Sequence, residues 1–329
     1  MLKNNKFFIK KLKNIIFLGH WSYYDEIEEI NSKLNLSTFK ISSPSFKTKF
    51  KSQKNIKFFT KLDNKLENYL KQKKINRENS LFISFGSRWI FNKHQINNIF
   101  WNNLINFHGT RLPIDAGGGG FSWRILRGDR LGCNLAHVID EKIDTGPIIA
   151  NDEYIFPNSC KKPIDYENFY FKKFTPFYEM LISKIKSKGK IALLNQNKSL
   201  RLYNPRLKTK INGWINWNWE AEDIFNFINA FDEPYEGAST TINNKFKIYL
   251  KEVHLHKGEM SSHPYSKGLI IRKNKDWIVV AMGGNYNLLI EKVLDNKGKN
   301  TFEKIKVGDR LITDIKYLQK SLSYRPIYK

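Results

Sequence analysis

Short apolar runs alternate with amphipathic stretches over roughly the first 190 residues of the chain. A short apolar run bounded by turn residues is typical of a buried strand, and apolar residues spaced three or four apart are typical of a helix with one buried face. The pattern predicts strands at 14–18, 38–42, 81–85, 104–107 and 134–139. It predicts helices at 23–34, 61–74, 96–101, 121–127 and 166–186. Because strands alternate with helices, we expect an α/β domain with a mainly parallel sheet and a site at the carboxyl ends of its strands.

The chain changes character after this point. The segment 189–212 is basic and carries an Asn-Pro pair, so we interpret it as a linker. One helix is predicted at 221–231, and several β-type runs separated by tight turns follow it. These runs lie at 239–242, 246–254, 269–272, 277–282 and 286–293. We therefore expect two domains, the α/β domain at 1–200 and a C-terminal domain at 201–329 that consists of linker, short helix and small OB-like β-barrel.

The chain is strongly basic, with 56 Lys and Arg against 31 Asp and Glu and a formal net charge of +25. Such a charge is typical of proteins that bind a polyanion such as RNA, a nucleotide or a membrane surface. It also arises from composition bias, and the excess here is mostly Lys, spread along the chain beside abundant Asn and Ile. Arginine, the better bidentate ligand of phosphate, is scarce. We therefore favour composition bias over a functional polyanion site.

Cysteine content and hydropathy argue against several classes of protein. The two cysteines, Cys133 and Cys160, make neither a disulfide framework nor a zinc-binding spacing. The N-terminal apolar run is too short for a signal peptide, and no stretch approaches the ~20 apolar residues that a membrane-spanning helix needs. We expect a cytoplasmic protein without a membrane partner.

A dense cluster of polar side chains, Asn106-Phe107-His108, comes at the end of the predicted strand 104–107. Positions i and i+2 of a strand point to the same side, so Asn106 and His108 are expected to project into one pocket. The Asn106 amide can donate to a developing oxyanion, and the His108 imidazole can donate a proton or a hydrogen bond to the same centre. Residues of these types also occur at strand ends in purely structural roles, and the pattern by itself does not separate the two interpretations.

A second polar stretch, 140–147, follows the next predicted strand. We expect it at the same edge of the sheet, where Asp144 would orient His108 and accept an amine proton directly or through water. Asp144-Thr145-Gly146 is also compatible with a plain turn in which the Asp side chain caps its own backbone. The first βα turn, at 19–22, lacks a dinucleotide fingerprint, so no NAD is expected.

Together these stretches resemble the formyltransferase family, which includes methionyl-tRNA formyltransferase, glycinamide ribonucleotide formyltransferase and the sugar N-formyltransferases. The family pattern is Asn-x-His, a Leu-Pro turn, a Gly-rich loop, a helix ending near Gly-Asp, and Asp-x-Gly. Its parts here are, in order, Asn106-Phe107-His108, Leu112-Pro113, Gly117 to Gly120, Gly128-Asp129 and Asp144-Thr145-Gly146. Order and spacing agree over about 45 residues, and the plan of a Rossmann-like domain followed by a small barrel agrees as well.

The resemblance implies a reaction and a set of site residues. An amine would attack the formyl carbon of 10-formyltetrahydrofolate directly, and neither a metal nor a covalent enzyme intermediate is implied. Asn106 and His108 would stabilise the oxyanion of a tetrahedral intermediate, while Asp144 would hold His108 and help to remove the amine proton. The folate would lie between two backbone segments, 85–90 and 139–144, and core packing is an equal alternative for Trp89 and Ile90. The expected folate contacts are Phe85, Gly86, Arg88, Trp89, Ile90, Ile139, Asp140 and Glu141.

The loop after Leu112-Pro113 departs from the family pattern. Family members usually carry Arg-Gly and a Pro there, whereas this chain has Ile-Asp-Ala followed by four glycines. Such a loop would let the backbone approach a substrate closely. We expect Gly117, Gly118 and Arg111 to contact the acceptor.

Two acceptors fit the sequence. The stretches 212–217 and 231–238 resemble motifs of family members that act on amino sugars, and Asp232 and Glu233 add negative charge where an RNA backbone would pass. The net charge and the lysines of 47–54, which lie in a predicted loop at 44–57, favour the methionyl group of an initiator tRNA instead.

We favour a nucleotide-linked amino sugar of the 4-amino-4,6-dideoxy type, as used in lipopolysaccharide O-antigen biosynthesis. An inactive, RNA-binding family member is a third hypothesis, against which the intact Asn106, His108 and Asp144 argue. An exposed barrel could serve as the surface of a homodimer.

Overall fold

The computed structural model describes residues 6–20, 23–50, 55–87, 89–187 and 189–326. Most of its strands fall into two sheets against which the helices pack. The strands are β1 (Lys6–Phe7), β2 (Asn14–Gly19), β3 (Ser37–Ser42), β4 (Ile56–Phe58), β5 (Ser80–Phe85), β6 (Leu104–His108), β7 (Ala116–Gly117), β8 (Leu131–Val138), β9 (Ile148–Ile155), β10 (Ile191–Ala192), β11 (Tyr203–Asn204), β12 (Ala238–Ile242), β13 (Phe246–His256), β14 (Ile270–Lys273), β15 (Ile278–Val280), β16 (Asn287–Leu294) and β17 (Leu311–Ile312). The helices are α1 (Tyr24–Lys33), α2 (Asn64–Gln72), α3 (Gly120–Leu126), α4 (Pro163–Lys186), α5 (Thr209–Asn212), α6 (Ala221–Ala230) and α7 (Ile315–Ser323).

The larger sheet has the strand order β4-β3-β2-β5-β6-β8-β9. Its strands from β4 to β6 run parallel, which confirms the prediction of a mainly parallel α/β sheet. β2 and β5 are buried along their full length, as strands covered on both faces are. The apolar runs that predict central strands therefore lie inside this sheet.

β8 pairs antiparallel with β6, with Asn106 opposite His137 and Ile105 opposite Val138. A parallel neighbour would need a crossover that carries the chain back to the starting edge of the sheet. Between β6 and β8 the chain instead forms α3, which contacts α4 and α6, and it re-enters the sheet from the carboxyl edge of β6. The expectation that the strand before 140–147 ends at the same edge as β6 is therefore wrong, and the chain after β8 has to fold back to bring Asp144 near His108.

Two stretches for which the pattern predicts a loop or a linker contain regular structure. The predicted loop at 44–57 holds a 3₁₀-helix, Pro44–Phe50, and β4, which pairs parallel with β3. The predicted linker at 189–212 contributes β10, which pairs with β1, and β11, which pairs parallel with β7. The region predicted as a helix at 96–101 is a π-helix at Gln95–Ile99.

Helix α4 covers one face of β6. The Asp165 carboxylate accepts hydrogen bonds of 3.0 Å from the backbone N–H groups of Lys161 and Lys162 and so fixes the start of the helix. On its apolar side, Phe174 meets Phe107 edge-on with ring centroids 5.0 Å apart. Because Phe107 lies between Asn106 and His108 along the strand, α4 covers the opposite face from those two side chains. In the described part of the chain, no helix is long and apolar enough to cross a membrane.

The smaller sheet has the order β14-β15-β16-β13-β12-β17, and its neighbours run antiparallel. A bridge between Leu269 and Arg310 joins its two edges and closes it into the predicted barrel. α6 packs against β13, with Ile224 and Ile228 fully buried. The same apolar cluster includes Phe156, which follows β9, so both halves of the chain contribute to it. The boundary at residue 200 stays a prediction.

A buried ion cluster joins the two halves at Asp232, whose side chain is fully buried. The Asp232 carboxylate accepts hydrogen bonds from the backbone N–H groups of Glu233, at 2.6 Å, and Glu252, at 2.9 Å. The ammonium groups of Lys251 and Lys162 lie 3.6 and 4.0 Å from Asp232 Oδ1, and Lys162 comes from the start of α4. The charge of Asp232 is therefore compensated inside the protein, and the expectation that it faces a passing RNA is wrong.

Replacing Asp232 by Ala is expected to lower the free energy of unfolding by about 3–5 kcal/mol, because Lys251 stays buried without its partner and two backbone donors lose an acceptor. Denaturant unfolding of the purified variant measures this. Glu236 lies in the same stretch but is exposed. Glu236→Ala is the matched control, with an expected change within about 0.5 kcal/mol. Equal effects of the two substitutions would show that the cluster does not stabilise the junction.

Candidate functional site

Asn106 and His108 lie at the carboxyl end of β6 and turn to the same face of the sheet. Asn106 Nδ2 is 3.2 Å from His137 Nε2. His108 Nδ1 is 4.0 Å from Asp144 Oδ1, and that oxygen is 3.7 Å from His137 Nε2. The structure therefore brings the three residues that the sequence predicts as catalytic into one cluster, and it adds His137.

His137 is buried next to this cluster. Its Nδ1 donates to the carbonyl of Val138 at 2.9 Å, so Nε2 is left as an acceptor for the Asn106 amide. Burial lowers the pKa of His137 below its usual 6.5; the Asp144 carboxylate opposes this shift, and His108 adds to it. A neutral His137 thus fixes the orientation of the Asn106 amide, whose second hydrogen stays available to a ligand.

The loop after β8 folds back across the sheet and carries Asp144 to His108. Its ends are tied by a 2.9 Å hydrogen bond from the Val138 N–H to the Pro147 carbonyl. Asp144 has φ +53°, in the left-handed region that Asp tolerates better than most residues. Gly146 is required in the same turn, because a Cβ there would lie 1.7 Å from the Val138 carbonyl oxygen. Asp144-Thr145-Gly146 is thus both a tight turn and the means of presenting a carboxylate.

The second nitrogen of His108 is held by the main chain. His108 Nε2 is 3.1 Å from the carbonyl oxygen of Asp115, which also accepts the Thr110 hydroxyl at 2.7 Å. Because a carbonyl only accepts, Nε2 carries a proton in this arrangement, and Nδ1 is the nitrogen that faces Asp144. Asp144 is the residue expected to orient His108, whereas the closer contact of His108 is to the Asp115 carbonyl.

Asp115 is itself held by a cluster of arginines. Its carboxylate lies 2.7 Å from Arg127, 3.8 Å from Arg111 and 3.8 Å from Arg124, and the Arg124 side chain is fully buried. Buried charges persist when opposite charges surround them. The cluster therefore fixes the backbone at residue 115, and with it the carbonyl that orients His108.

The predicted acceptor-binding residues contact other parts of this chain. Arg111 donates to the Asp129 carboxylate at 2.8 Å. The Gly117 N–H donates to Asp144 Oδ2 at 2.9 Å, and the Gly118 N–H donates to the Asn204 carbonyl at 3.0 Å. A Cβ on Gly117 would lie 2.3 Å from that same carbonyl oxygen. The glycines thus allow close approach of β11, and contact of these three residues with a substrate stays a prediction.

The apolar residues among the predicted folate contacts differ in burial. Phe85 is buried and stacks on Phe107 with ring centroids 5.6 Å apart. Trp89 and Ile139 come from the two different segments, yet both are half-buried against the same apolar cluster. Ile90 is 50% exposed. One residue of each segment, Trp89 or Ile139, therefore packs against the same apolar cluster.

Among the remaining predicted folate contacts, Gly86 and Asp140 have roles in the backbone conformation of their segments. Gly86 has φ +52°, and a Cβ there would lie 2.7 Å from the His20 carbonyl oxygen. The Asp140 carboxylate accepts the Thr145 hydroxyl at 2.6 Å. Glu141 is exposed. Arg88 lies outside the described residues, and the role of each in binding folate stays a prediction.

This site combines an amide donor, an imidazole and a carboxylate on one side of the sheet. Such a set can stabilise negative charge on an oxygen and move a proton. Within the residues that the structure describes, no group of three or more His, Cys, Asp or Glu side chains is arranged to hold a metal ion.

Known proteins resemble this chain in sequence and in fold. Residues 208–306 match the family described as formyl transferase, C-terminal domain. The methionyl-tRNA formyltransferase of Clostridium botulinum is 28% identical over 258 residues, which cover 78% of this chain and 79% of that protein.

Two solved structures show the same fold. The N-formyltransferase from Helicobacter canadensis, in complex with folinic acid and dTDP-3-aminofucose, has a TM-score of 0.64 at 19% identity and covers 85% of this chain and 99% of its own. A 4-N formyltransferase from Francisella tularensis has a TM-score of 0.57 at 20% identity and covers 69% of this chain and 91% of its own.

Because its pKa is lowered in the folded protein, His137 is expected to make the free energy of unfolding depend on pH. Between about pH 7 and 5 the unfolded chain takes up a proton at this residue that the folded chain does not, so stability falls as the pH falls, by at most about 1.4 kcal/mol per pH unit. His137→Gln is expected to weaken this pH dependence. Denaturant unfolding at pH 8, 6.5 and 5 measures it.

His94, whose side chain is exposed, supplies the control. His94→Gln should keep the pH dependence of the unsubstituted protein. An unchanged dependence in His137→Gln would mean that His137 is not held neutral in the folded state.

Proposed function

We propose that the chain is a member of the formyltransferase family and that it transfers a formyl group from 10-formyltetrahydrofolate to the amine of a nucleotide-linked amino sugar, of the 4-amino-4,6-dideoxy type. Enzymes of this family transfer formyl groups, and 10-formyltetrahydrofolate is the donor of these groups. The convergence of Asn106, His108 and Asp144 on one face of the sheet is the observation that carries the proposal.

Each of the three side chains has a distinct role in the proposed reaction. Asn106 has an amide hydrogen beyond the one directed at His137, and it donates this hydrogen to the formyl oxygen as negative charge develops there. His108 Nδ1 is the ring nitrogen that hydrogen-bonds to the substrate or exchanges a proton with it, because Nε2 is hydrogen-bonded to the Asp115 carbonyl. Asp144 accepts the proton that the attacking amine loses. When the bond between the formyl carbon and the folate nitrogen breaks, this proton passes to the leaving nitrogen, so that the products are the formylated amine and tetrahydrofolate.

Trp89, Ile90 and Ile139 are the apolar residues that we propose to hold the folate ring. Support comes from Trp89 and Ile139, which are half-buried against one apolar cluster. Apolar side chains with a few polar groups to fix the orientation are typical of sites for flat heterocycles. The backbone of 139–141 and the Asp140 carboxylate lie on the same segment as Ile139. When bound there, the folate supplies the activated formyl group, and the residues of β6 act on its oxygen.

The amino sugar is favoured as acceptor by two motifs and by the structural relatives. The stretches 212–217 and 231–238 resemble sugar-enzyme motifs. In this structure the first lies against β12, where the Ile215 N–H donates to the Ser239 carbonyl and Trp217 Nε1 donates to Thr240, and the second leads into that strand. Of the two relatives of known structure, one holds dTDP-3-aminofucose and the other is described as a 4-N formyltransferase. We place such a reaction in the cytoplasm, in the biosynthesis of O-antigen sugars.

Methionyl initiator tRNA is the second candidate acceptor, favoured by the sequence similarity to methionyl-tRNA formyltransferase. The lysines at 47–54 would then contact RNA. Of these, Lys47 places its ammonium 5.6 Å from the centre of the Phe58 ring, and Lys51 and Lys54 lie outside the described residues. A homodimer through the barrel also stays a prediction.

The acceptor class is tested with the purified protein and 10-formyltetrahydrofolate. We expect formylation of at least one member of a panel of dTDP-, UDP- and GDP-linked 3-amino and 4-amino sugars, and no formylation of methionyl initiator tRNA. Product mass and tRNA aminoacyl analysis are the readouts. Formylation of the tRNA alone would overturn the sugar assignment and give the 47–54 lysines an RNA contact.

Asn106→Ala, His108→Ala and Asp144→Ala are each expected to lower turnover by at least ~10²-fold, the usual effect of losing one oxyanion donor or acid–base group. Steady-state kinetics with the active acceptor measure this. Glu153→Ala, which removes an exposed carboxylate of β9, is the control for the loss of a negative charge, with less than a tenfold change in turnover expected. Near-normal turnover in the three site variants would refute the assignment of the site.

A further inference from the structure

The segment 194–206 lies in the predicted linker, yet it is bonded to both halves of the candidate site. We call it the strap. At one end, Leu194 and Ile148 exchange backbone hydrogen bonds of 2.8 and 2.9 Å, which join the strap to the start of β9. At the other end, Leu202 and Asn204 pair with the backbone of the glycine loop around Ala116. The strap therefore runs from the hairpin that carries Asp144 to the loop that bonds its carboxylate.

Two side chains of the strap hold the backbone at Asp144. Arg201 donates from Nη1 to the Asp144 carbonyl at 3.1 Å and from Nη2 to the Ile143 carbonyl at 2.7 Å. Gln196 Nε2 lies 3.2 Å from the Asp144 carbonyl and 2.6 Å from that of Gly146. The carbonyl groups of Ile143, Asp144 and Gly146 are thus all held by side chains of the strap.

Arg201 is committed to these carbonyls. Among the described residues, no carboxylate oxygen lies within 4.0 Å of its guanidinium, so no ion pair competes for its donors. A planar guanidinium can bridge two acceptors with fixed geometry, which an ammonium cannot do. The chain holds 11 arginines against 45 lysines, so the guanidinium at this position stands out from the general composition.

These contacts hold Asp144 in a left-handed backbone conformation, which an unrestrained loop would not keep. A non-glycine residue at φ +53° persists when its surroundings determine it. The Asp144 carboxylate has one backbone donor, the Gly117 N–H, while its carbonyl has two side-chain donors from the strap. Fixing both ends of the residue sets the direction of the carboxylate toward His108.

We propose that Arg201, assisted by Gln196, is the positioning residue of Asp144, and that the strap is part of the active site rather than a linker. This inference rests on the proposed function for its effect on turnover. The structural part of the inference, that Arg201 and Gln196 fix the backbone of 143–146, does not depend on which amine is formylated.

The first test compares Arg201→Gln with Lys198→Gln. Both substitutions remove one positive charge from the strap, but Lys198 is exposed and has no hydrogen bond from its side chain among the described residues. Arg201→Gln is expected to lose at least ~10-fold in turnover, because a small displacement of a proton acceptor is costly, with the KM of both substrates within about threefold. Lys198→Gln is expected to keep turnover and KM.

The second test places Arg201→Gln in the Asp144→Ala background. If Arg201 acts through Asp144, the double variant should have the residual turnover of Asp144→Ala within about twofold. The same fold-loss in both backgrounds would mean that Arg201 acts elsewhere. Wild-type turnover in Arg201→Gln, or an equal loss in Lys198→Gln, would also overturn the proposal.

Hydrogen exchange gives a readout that needs no substrate. Arg201→Gln should speed deuterium uptake in peptides covering 139–147 and leave the barrel strand 246–256 unchanged, while Lys198→Gln should change neither. If the protein formylates none of the acceptors, the proposed function fails and this measurement decides the inference alone. Unchanged uptake at 139–147 would overturn it. Should Arg201→Gln not fold, Gln196→Ala is tested in the same assays with the same expected directions.

Discussion

The left-handed turn at Asp144 is the constraint on which the candidate site depends. β8 approaches antiparallel to β6, so the chain that follows it leaves the sheet at the wrong edge for a contact with His108. The tight turn, possible because residue 146 is glycine, sends the carboxylate back across the sheet. The partners of Asp144 come from the glycine loop, β6 and the strap, so the site exists only once these distant segments have packed.

Burial on both faces explains which parts of the fold the sequence could predict. β2 and β5 are continuous apolar runs because helices cover both of their faces. β9 was not predicted, because its middle residues 151–153 lie partly or fully exposed at an edge and are Asn, Asp and Glu. The direction of β8 is not encoded in an apolar pattern at all, since a strand has the same periodicity in either direction. β17 and α7 are short or unburied, and so leave little apolar signal.

Some residues of the candidate site could be identified from the sequence, and others could not because they act through backbone groups or buried contacts. Asn106 and His108 could be found because a strand places alternate residues on one face. His137 lies among apolar residues, where a lone histidine is indistinguishable from a core residue before its contacts are known. Asp115 orients His108 through its carbonyl, a group that every residue has. The one feature of the sequence that could have drawn attention to Asp115 is the clustering of arginine around it, because four of the 11 arginines in this lysine-rich chain fall within 111–130.

The strap also ties the site to the barrel. Beyond β11 the chain passes through α5 into Trp214 and Ile215, and the Ile215 N–H donates to the Ser239 carbonyl of β12 at 3.0 Å. Trp123 on α3 bonds the Pro205 carbonyl at 2.8 Å, so the strap is fixed on its outer side as well. A shift of the barrel relative to the large sheet would therefore pull on the chain that holds Asp144. With the ion cluster at Asp232 locking α4 to the barrel, the second half of the chain acts as a support for the carboxylate, whichever amine the site accepts.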